Sequence, residues 1–178
     1  MDDAGTGDER SRVGSAGGLT PFEAWYRGEY PNMVRVLTLV SGDAEIAADA
    51  AAEAFTRALA NWGRVAAMAS PAGWAYTVAL NVLRRRQQRA RIEQLIARRE
   101  PPPPPIPEDR LYLWEAVRSL PPRQRTAIVL HYVADMPQDQ VAKIMGVAPG
   151  TVAATLHAAR DSLRGKLNGS DSDGTDRP

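Results

Sequence analysis

The chain has 178 residues, 44% of them hydrophobic, which is enough for one domain or two small ones with packed cores. Its formal net charge is only +1, so any case for nucleic-acid binding has to rest on a local concentration of charge. It contains no cysteine, which excludes a disulfide framework, thiolate metal sites and cysteine nucleophiles.

The two ends of the chain are polar. Residues 1–18 and 168–178 have almost no large apolar side chains, so we expect two disordered tails that cannot bury enough surface to fold. The first 18 residues also lack the apolar core of a secretory signal. No apolar run approaches the roughly 20 residues that cross a bilayer. The sequence therefore predicts a cytoplasmic protein with no direct membrane insertion.

Three helices are predicted before residue 100. The first begins at Thr20 and Pro21, and Glu23 completes a capping box with Thr20. Residues 41–43 end this helix, and Asp43 can cap the second. Residues 63–69 are predicted to form a loop, after which a third helix begins at Ser70 and Pro71. Apolar residues recur at helical spacing throughout, and no stretch alternates as a strand does, so we predict an all-α fold.

A proline-rich segment separates two parts of the chain. Residues 100–107 read EPPPPPIP, and consecutive prolines cannot continue a helix but favour an extended spacer. The sequence therefore predicts two small helical domains, over residues 19–99 and 109–167, with a linker over 100–108 that holds them apart.

The second domain has the proportions of a helix-turn-helix. A short helix over 138–145 is followed by a turn at Gly146 and a longer helix from Pro149 to Leu167. In that motif the second helix enters the major groove, with its first residues at the base edges. Because Val152 and Leu156 face the core, the exposed candidates for base contact are Thr151, Ala153, Ala154, Thr155, His157 and Ala158, and Arg160 and Arg164 could reach phosphates. By itself, the pattern also fits a plain helical hairpin.

The third helix of the first domain ends in a cluster of arginines, namely Arg84, Arg85, Arg86, Arg89, Arg91, Arg98 and Arg99, opposed only by Glu93 and Glu100. Such a cluster can bind phosphates, although a solvated helix face is an equally good interpretation. Trp62 and Trp74 flank the segment 63–73 and could stack on an unpaired base, but a core role suits each tryptophan better.

No enzyme motif is present. The sequence has no P-loop, no nucleophile elbow, no HExxH zinc motif and no dinucleotide-binding glycine motif in the right context. With only two histidines and no cysteine, a metal site is not expected. We therefore predict a non-enzymatic protein with no cofactor and no small-molecule substrate.

Several motifs together resemble one family. Residues 120–125 (LPPRQR), 140–147 (QVAKIMGV), 150–152 (GTV) and 156–160 (LHAAR) are similar, in this order, to the fourth region of the extracytoplasmic-function (ECF) group of bacterial sigma factors. In the first half, Asp49 with Glu53 and Phe55, and the run WAYTVALN from Trp74 to Asn81, resemble the second region of the same group.

The resemblance implies a promoter-specificity subunit of RNA polymerase, made of a region 2 bundle and a region 4 helix-turn-helix. The helix bearing Asp49, Glu53 and Phe55 would dock on the clamp of the polymerase β′ subunit. Residues 63–73 and the following helix would open and read the −10 element of promoter DNA, through Trp74, Asn81, Arg84, Arg85, Arg86 and Arg89. The second domain would hold the β flap and read the −35 element through residues 151–160. An anti-sigma factor is a usual partner of the resembled group.

The chain departs from the group at several positions. Ala52 stands where glutamine is common, and Ala153, Ala154 and Ala158 stand where the recognition helix often carries basic or hydroxyl side chains. Fewer phosphate contacts lower the affinity, so we expect weak or unusual −35 recognition, or greater reliance on polymerase. The alternative is a sigma-like interaction module that binds polymerase or a regulator and reads DNA poorly. A free-standing helix-turn-helix repressor is a third interpretation, but it would not need the stretch with Asp49 and Glu53.

Overall fold

The computed structural model describes residues 19–97 and 111–171, and all regular elements in these two ranges are helical. The first range contains α1 (Pro21–Ser41), α2 (Ala44–Ala60), α3 (Trp62–Ala66) and α4 (Pro71–Ala97). The second contains α5 (Leu111–Arg118), α6 (Pro122–Ile128), a π-helical turn (Val129–Val133), α7 (Gln138–Met145) and α8 (Pro149–Asp171). The predicted all-α fold is confirmed.

The predicted helix starts follow from local hydrogen bonding. The Thr20 hydroxyl accepts from the Glu23 amide at 3.2 Å, and the Glu23 carboxylate accepts from the Thr20 amide at 2.8 Å. The second of these bonds is the main reason that the pKa of the Glu23 carboxyl is lowered. Gly42 ends α1 with a φ of 78°, and the Asp43 carboxylate accepts from the Glu45 and Ile46 amides in the first turn of α2.

Two predicted boundaries are wrong. Residues 63–69 are not wholly a loop, because α3 occupies Trp62–Ala66. The Val65 amide donates to the Asn61 carbonyl at 3.0 Å and so forms a turn of this helix. Helix α8 continues to Asp171 rather than ending at Leu167, since residues 168–171 contain no proline that would interrupt the backbone hydrogen bonds. The predicted linker at 100–108, the first tail at 1–18 and residues 172–178 lie outside the described residues.

Helix α2 packs through alanines. Ala47, Ala50, Ala51, Ala54 and Ala58 are all fully buried between α1 and α4. Small side chains allow the helix backbones to approach closely, and interior packing leaves little spare volume. At the far end of α2, the space is filled by a cluster of aromatic rings, namely Phe22, Trp25, Tyr26, Tyr30, Phe55 and Trp62.

The second domain folds around α8. Val152, Leu156 and Ala159 of α8 are buried against α6 and α7, where Val141 and Ile144 are buried as well. Gly146 turns the chain between α7 and α8 with a φ of 68°, a conformation that suits glycine. The helix-turn-helix geometry predicted from the sequence is therefore present.

The two domains pack against each other. Helix α4 contacts α7, α1 contacts the π-helical turn, and buried residues of both domains form one continuous core. Polar bonds cross the boundary from Gln140 to Ser70 and from Arg35 to the Val133 carbonyl. The prediction that the proline segment holds the domains apart is wrong, because a spacer stiffens only its own backbone while apolar side chains on both domains remain available to be buried.

Candidate nucleic-acid and polymerase interface

The recognition helix α8 presents one face outwards. Its inner row is Val152, Leu156 and Ala159, each at most 1% exposed. The residues predicted to meet DNA are exposed or half-buried on the other side, namely Thr151, Ala153, Ala154, Thr155, His157 and Arg160. This division follows from the helical repeat, which places positions three and four apart on the same face. The outer face offers methyl groups, two hydroxyls, one imidazole and one guanidinium.

Several polar groups on α8 are already bonded within the helix. The Thr155 hydroxyl donates to the Thr151 carbonyl at 2.7 Å, so it offers mainly its acceptor side to a base. Asp161 lies 3.0 Å from His157 and 3.1 Å from Arg164. Arg160 is exposed and has no ion pair in the described part of the chain, so it is the cation on this face that is best placed for a phosphate.

Helix α4 carries a second basic surface. Arg84, Arg85 and Arg89 are exposed, and Arg84 donates to the Asn81 carboxamide oxygen at 3.4 Å. The side chains of Arg91, Arg98 and Arg99 lie outside the described residues. Trp74 is half-buried and packs on the core, while Trp62 belongs to the aromatic cluster, 5.0 Å from the Trp25 ring. Both tryptophans are packed on one side and partly exposed, and stacking on an unpaired base stays a prediction.

The predicted polymerase-binding carboxylates are paired with arginines. Asp49 accepts from Arg86 at 2.6 Å, and Glu53 accepts from Arg57 at 2.7 Å. Both ion pairs are partly exposed, and solvent weakens them. Each carboxylate can therefore exchange its arginine for a basic group of another protein at a low cost in free energy. Arg86, predicted to bind DNA, thus joins α4 to α2. Arg57 was not among the predicted site residues, although a basic residue four positions after a glutamate is the usual signal for an ion pair on a helix.

Phe55 does not reach the surface. It is 2% exposed and packs against Trp25, Tyr26 and Tyr30 in the aromatic cluster. The prediction that Phe55 contacts polymerase is therefore wrong, and its place is in the core that supports α2. The physical reason is the helical repeat. Phe55 follows Glu53 by two positions, and residues two apart lie on different faces of a helix.

One groove brings the two predicted surfaces together. It has a volume of about 220 Å³ and is lined by Glu53 and Arg57 of α2 and by Val82, Arg85, Arg86 and Arg89 of α4. The carboxylate expected to meet polymerase and the arginines expected to meet DNA therefore adjoin along the same side of the domain.

Comparison with known proteins identifies the family. The chain matches the family description "Sigma-70 region 2" over residues 25–92 and "Sigma-70, region 4" over residues 110–163, and together these ranges cover more than two thirds of it. It is 30% identical over 137 residues to the ECF RNA polymerase sigma factor SigL of Mycobacterium tuberculosis, covering 70% of this chain and 76% of that protein. The chain belongs to the ECF family of sigma factors.

Other relatives agree. This sigma factor is 26% identical over 162 residues to the RNA polymerase sigma-E factor of Streptomyces avermitilis, covering 88% of this chain and 90% of that protein. Among solved structures, the sigma factor RpoE of Bartonella quintana, in complex with the anti-sigma factor NepR, superposes with a TM-score of 0.71 at 19% identity. That superposition covers 89% of this chain and 100% of the other, and it shows that the fold is shared.

Sigma factors bind core RNA polymerase and direct it to promoters, and they regulate transcription without being enzymes. No described helix of this sigma factor is long and apolar enough to cross a membrane. Within residues 19–97 and 111–171, no group of three acidic or histidine side chains is arranged to hold a metal ion.

Proposed function

We propose that this sigma factor reads the −10 element with a region 2 domain over residues 19–99 and the −35 element with a region 4 domain over residues 109–167. Single-domain contacts with DNA are modest, but two contacts held on one polymerase act as a linked pair. The high effective concentration of the second contact then strengthens both.

For the −35 element, the supporting observation is the outward face of α8, with Arg160 for phosphates and Thr151, Thr155 and His157 for base edges. Ala153 and Ala154 offer methyl groups, which suit contacts with thymine methyls rather than hydrogen-bonded readout. This face carries the proposal, because the inner row of α8 is buried in the domain and the outer row is accessible to the major groove.

For the −10 element, the proposed surface is residues 63–73 with Trp74, Asn81 and the arginines Arg84, Arg85 and Arg89 of α4. Opening a base pair costs a few kcal/mol, and each stacked base returns about 1–3 kcal/mol. Trp74 packs against the core but is partly exposed, and its exposed part is the proposed stacking surface for an unpaired base. The rest of the free energy needed to open the DNA comes from phosphate contacts of the exposed arginines and from binding to polymerase.

For polymerase, we propose that Asp49 and Glu53 dock on the β′ clamp and that the second domain holds the β flap. Docking on the clamp is then an exchange, in which a basic residue of polymerase replaces Arg86 or Arg57 as the partner of each carboxylate. Exposed apolar side chains of the second domain, Leu113 and Tyr132, are candidates for the flap contact, because they are 42% and 55% exposed.

An anti-sigma factor is a proposed third partner. Of the solved structures that share the fold, one is a complex with the anti-sigma factor NepR and another, CnrH, is a complex with the cytosolic domain of CnrY, with a TM-score of 0.59. The alternative role, a module that binds polymerase or a regulator but reads DNA poorly, is favoured only by the alanines of α8.

In vitro transcription tests the proposal. The protein is added to bacterial core polymerase with a library of genomic promoter fragments, and run-off transcripts absent with core alone are expected. Thr151→Val and Thr155→Val should change which promoters are used, whereas Thr56→Val, on the exposed side of α2, is a matched control. Binding to core without any specific transcript would favour the interaction module, and failure to bind core would contradict both.

A further inference from the structure

A cavity lies between the two domains. Its volume is about 350 Å³, within the range of small-molecule sites. One wall is formed by α1 and α4 of the first domain, and the other by α6, the end of α7 and the following turn. Arg84, which the proposed function assigns to the −10 surface, lines this cavity, and no other residue of the proposed −10 and −35 surfaces does.

The polar lining of the cavity is cationic. Arg84 of α4 and Arg123 of α6 come from different domains, both are exposed, and neither has an acidic partner within 4.0 Å in the described part of the chain. Arg125 also lines the cavity and donates to the Arg118 carbonyl at 3.0 Å. None of the described lining residues is acidic. Bringing like charges together opposes closure of the domains unless an anion lies between them.

The rest of the lining is mostly apolar and consists of Val40, Leu80, Leu83, Pro122, Met145 and Val147, with Gln87 and Thr126 as neutral polar groups. A bare inorganic ion would leave this part unoccupied, whereas an apolar group attached to the anion would fill it. Guanidinium groups bind carboxylates and phosphates through two parallel hydrogen bonds, and a phosphate monoester has three terminal oxygens and so can bridge two guanidinium groups.

We propose that this cavity is a binding site for a small organic phosphate whose charged end bridges Arg84 and Arg123 and whose apolar end lies against Leu80, Leu83 and Val147. Because the ligand touches both domains, it binds the packed arrangement more tightly than any arrangement in which they separate. It therefore shifts the population towards the packed arrangement in proportion to its concentration.

The site has a consequence for promoter use that rests on the proposed function. In the packed arrangement, α7 covers the start of α4, where Gln140 contacts Ser70 at the edge of the proposed −10 surface. An organic phosphate that holds the domains together should then reduce promoter binding. The binding site itself does not depend on this role, so the two can fail separately.

Calorimetric titration of the full chain with phenyl phosphate tests the site. Saturable binding is expected, and Arg123→Ala should weaken it about tenfold or more, because a charge-assisted contact is lost. Gln87→Glu places a carboxylate in the cavity and should weaken binding similarly, while Arg27→Ala, an exposed arginine of α1 outside the cavity, should leave it unchanged. Circular dichroism shows whether each variant is folded. Absence of saturable binding, undiminished affinity in both cavity variants, or equal affinity for the neutral probe benzyl alcohol would overturn the proposal.

A distance measurement tests the coupling to the domains. Because the chain has no cysteine, spin labels can be placed at Thr56→Cys in the first domain and Lys143→Cys in the second without background. Phenyl phosphate should narrow the distribution of distances between the labels, and the same pair carrying Arg123→Ala should not respond at the same concentration. A distribution that broadens or stays unchanged at saturating ligand would overturn the bridging role.

Discussion

The side-chain amide of Gln140 donates to the Ser70 hydroxyl at 2.9 Å, although the two residues are 70 positions apart. The same hydroxyl accepts from the Gly73 amide at 3.0 Å and so caps the first turn of α4. The Ser70 hydroxyl oxygen therefore accepts two hydrogen bonds, one from the first turn of α4 and one from the helix-turn-helix domain. The proposed −10 surface and the packing of the domains meet at this point.

Gly73→Ala should destabilise the packed protein. An added Cβ would lie 2.8 Å from the Gln140 amide nitrogen and 2.8 Å from the Ser70 hydroxyl, closer than real contacts allow. Overpacking of this kind costs about 1–3 kcal/mol, measurable as a lower midpoint in urea unfolding. Gly28→Ala is the control, because a Cβ there meets nothing within 4 Å, and that variant should be stabilised by up to about 1 kcal/mol. Equal stability of the two variants would show that no close contact exists at Gly73.

Asp49→Asn should weaken binding to core polymerase and slightly strengthen non-specific DNA binding, because it releases Arg86 from its ion pair. One additional phosphate contact steepens the slope of log affinity against log salt by about 0.9. Fluorescence anisotropy with a duplex of unrelated sequence, over a series of salt concentrations, measures this slope. Glu45→Gln, at an exposed position in the first turn of α2, should change neither property. An unchanged slope in Asp49→Asn would mean that Arg86 does not reach DNA once freed.

Arg160→Ala should lower the affinity of the holoenzyme uniformly across −35 sequences and reduce the salt slope by about 0.9. Arg164→Ala is the matched comparison and should have a smaller effect, since that guanidinium is held by Asp161 at 3.1 Å. Competition binding against a panel of −35 variants separates the two kinds of readout. A change in the order of preferred sequences in Arg160→Ala would indicate base contact instead of phosphate contact.

Tyr76→Phe should leave the fold unharmed or stabilise it by about 1 kcal/mol. Tyr76 is 1% exposed, and its hydroxyl has no hydrogen-bond partner among the residues that the structure describes, so the buried polar group is a cost in the folded state. Burial also raises the pKa of this phenol well above its usual range. Thermal unfolding measures the effect, and Tyr132→Phe, with 55% of the residue exposed, should show no change. A marked loss of stability in Tyr76→Phe would reveal a bound water at the hydroxyl.

Local features of the fold could be predicted from the sequence because they depend on neighbouring residues. Thr20 with Glu23, Asp43 and the turn at Gly146 act through bonds or backbone angles within a few positions. The outer face of α8 was predictable for the same reason, since the helical repeat fixes it once Val152 and Leu156 are assigned to the core.

The errors have equally physical causes. Phe55 was grouped with Glu53 by motif, but a separation of two residues places them on different sides of a helix. The pair of Asp49 with Arg86 spans 37 positions, and the bond from Arg35 to the Val133 carbonyl spans 98. No local pattern encodes such contacts. The packing of the two domains, and with it the cationic cavity, therefore became visible only in three dimensions.

The alanine face of α2 limits how this sigma factor can evolve. A larger side chain at Ala47, Ala50 or Ala54 would meet α1 or α4, and glycine would cost about 1 kcal/mol of helix propensity. Six of the 17 residues of α2 are buried and thus tolerate few substitutions, so selection on the affinity of this domain for polymerase acts on the outward positions. Among those positions, Asp49 and Glu53 are the two proposed to touch polymerase.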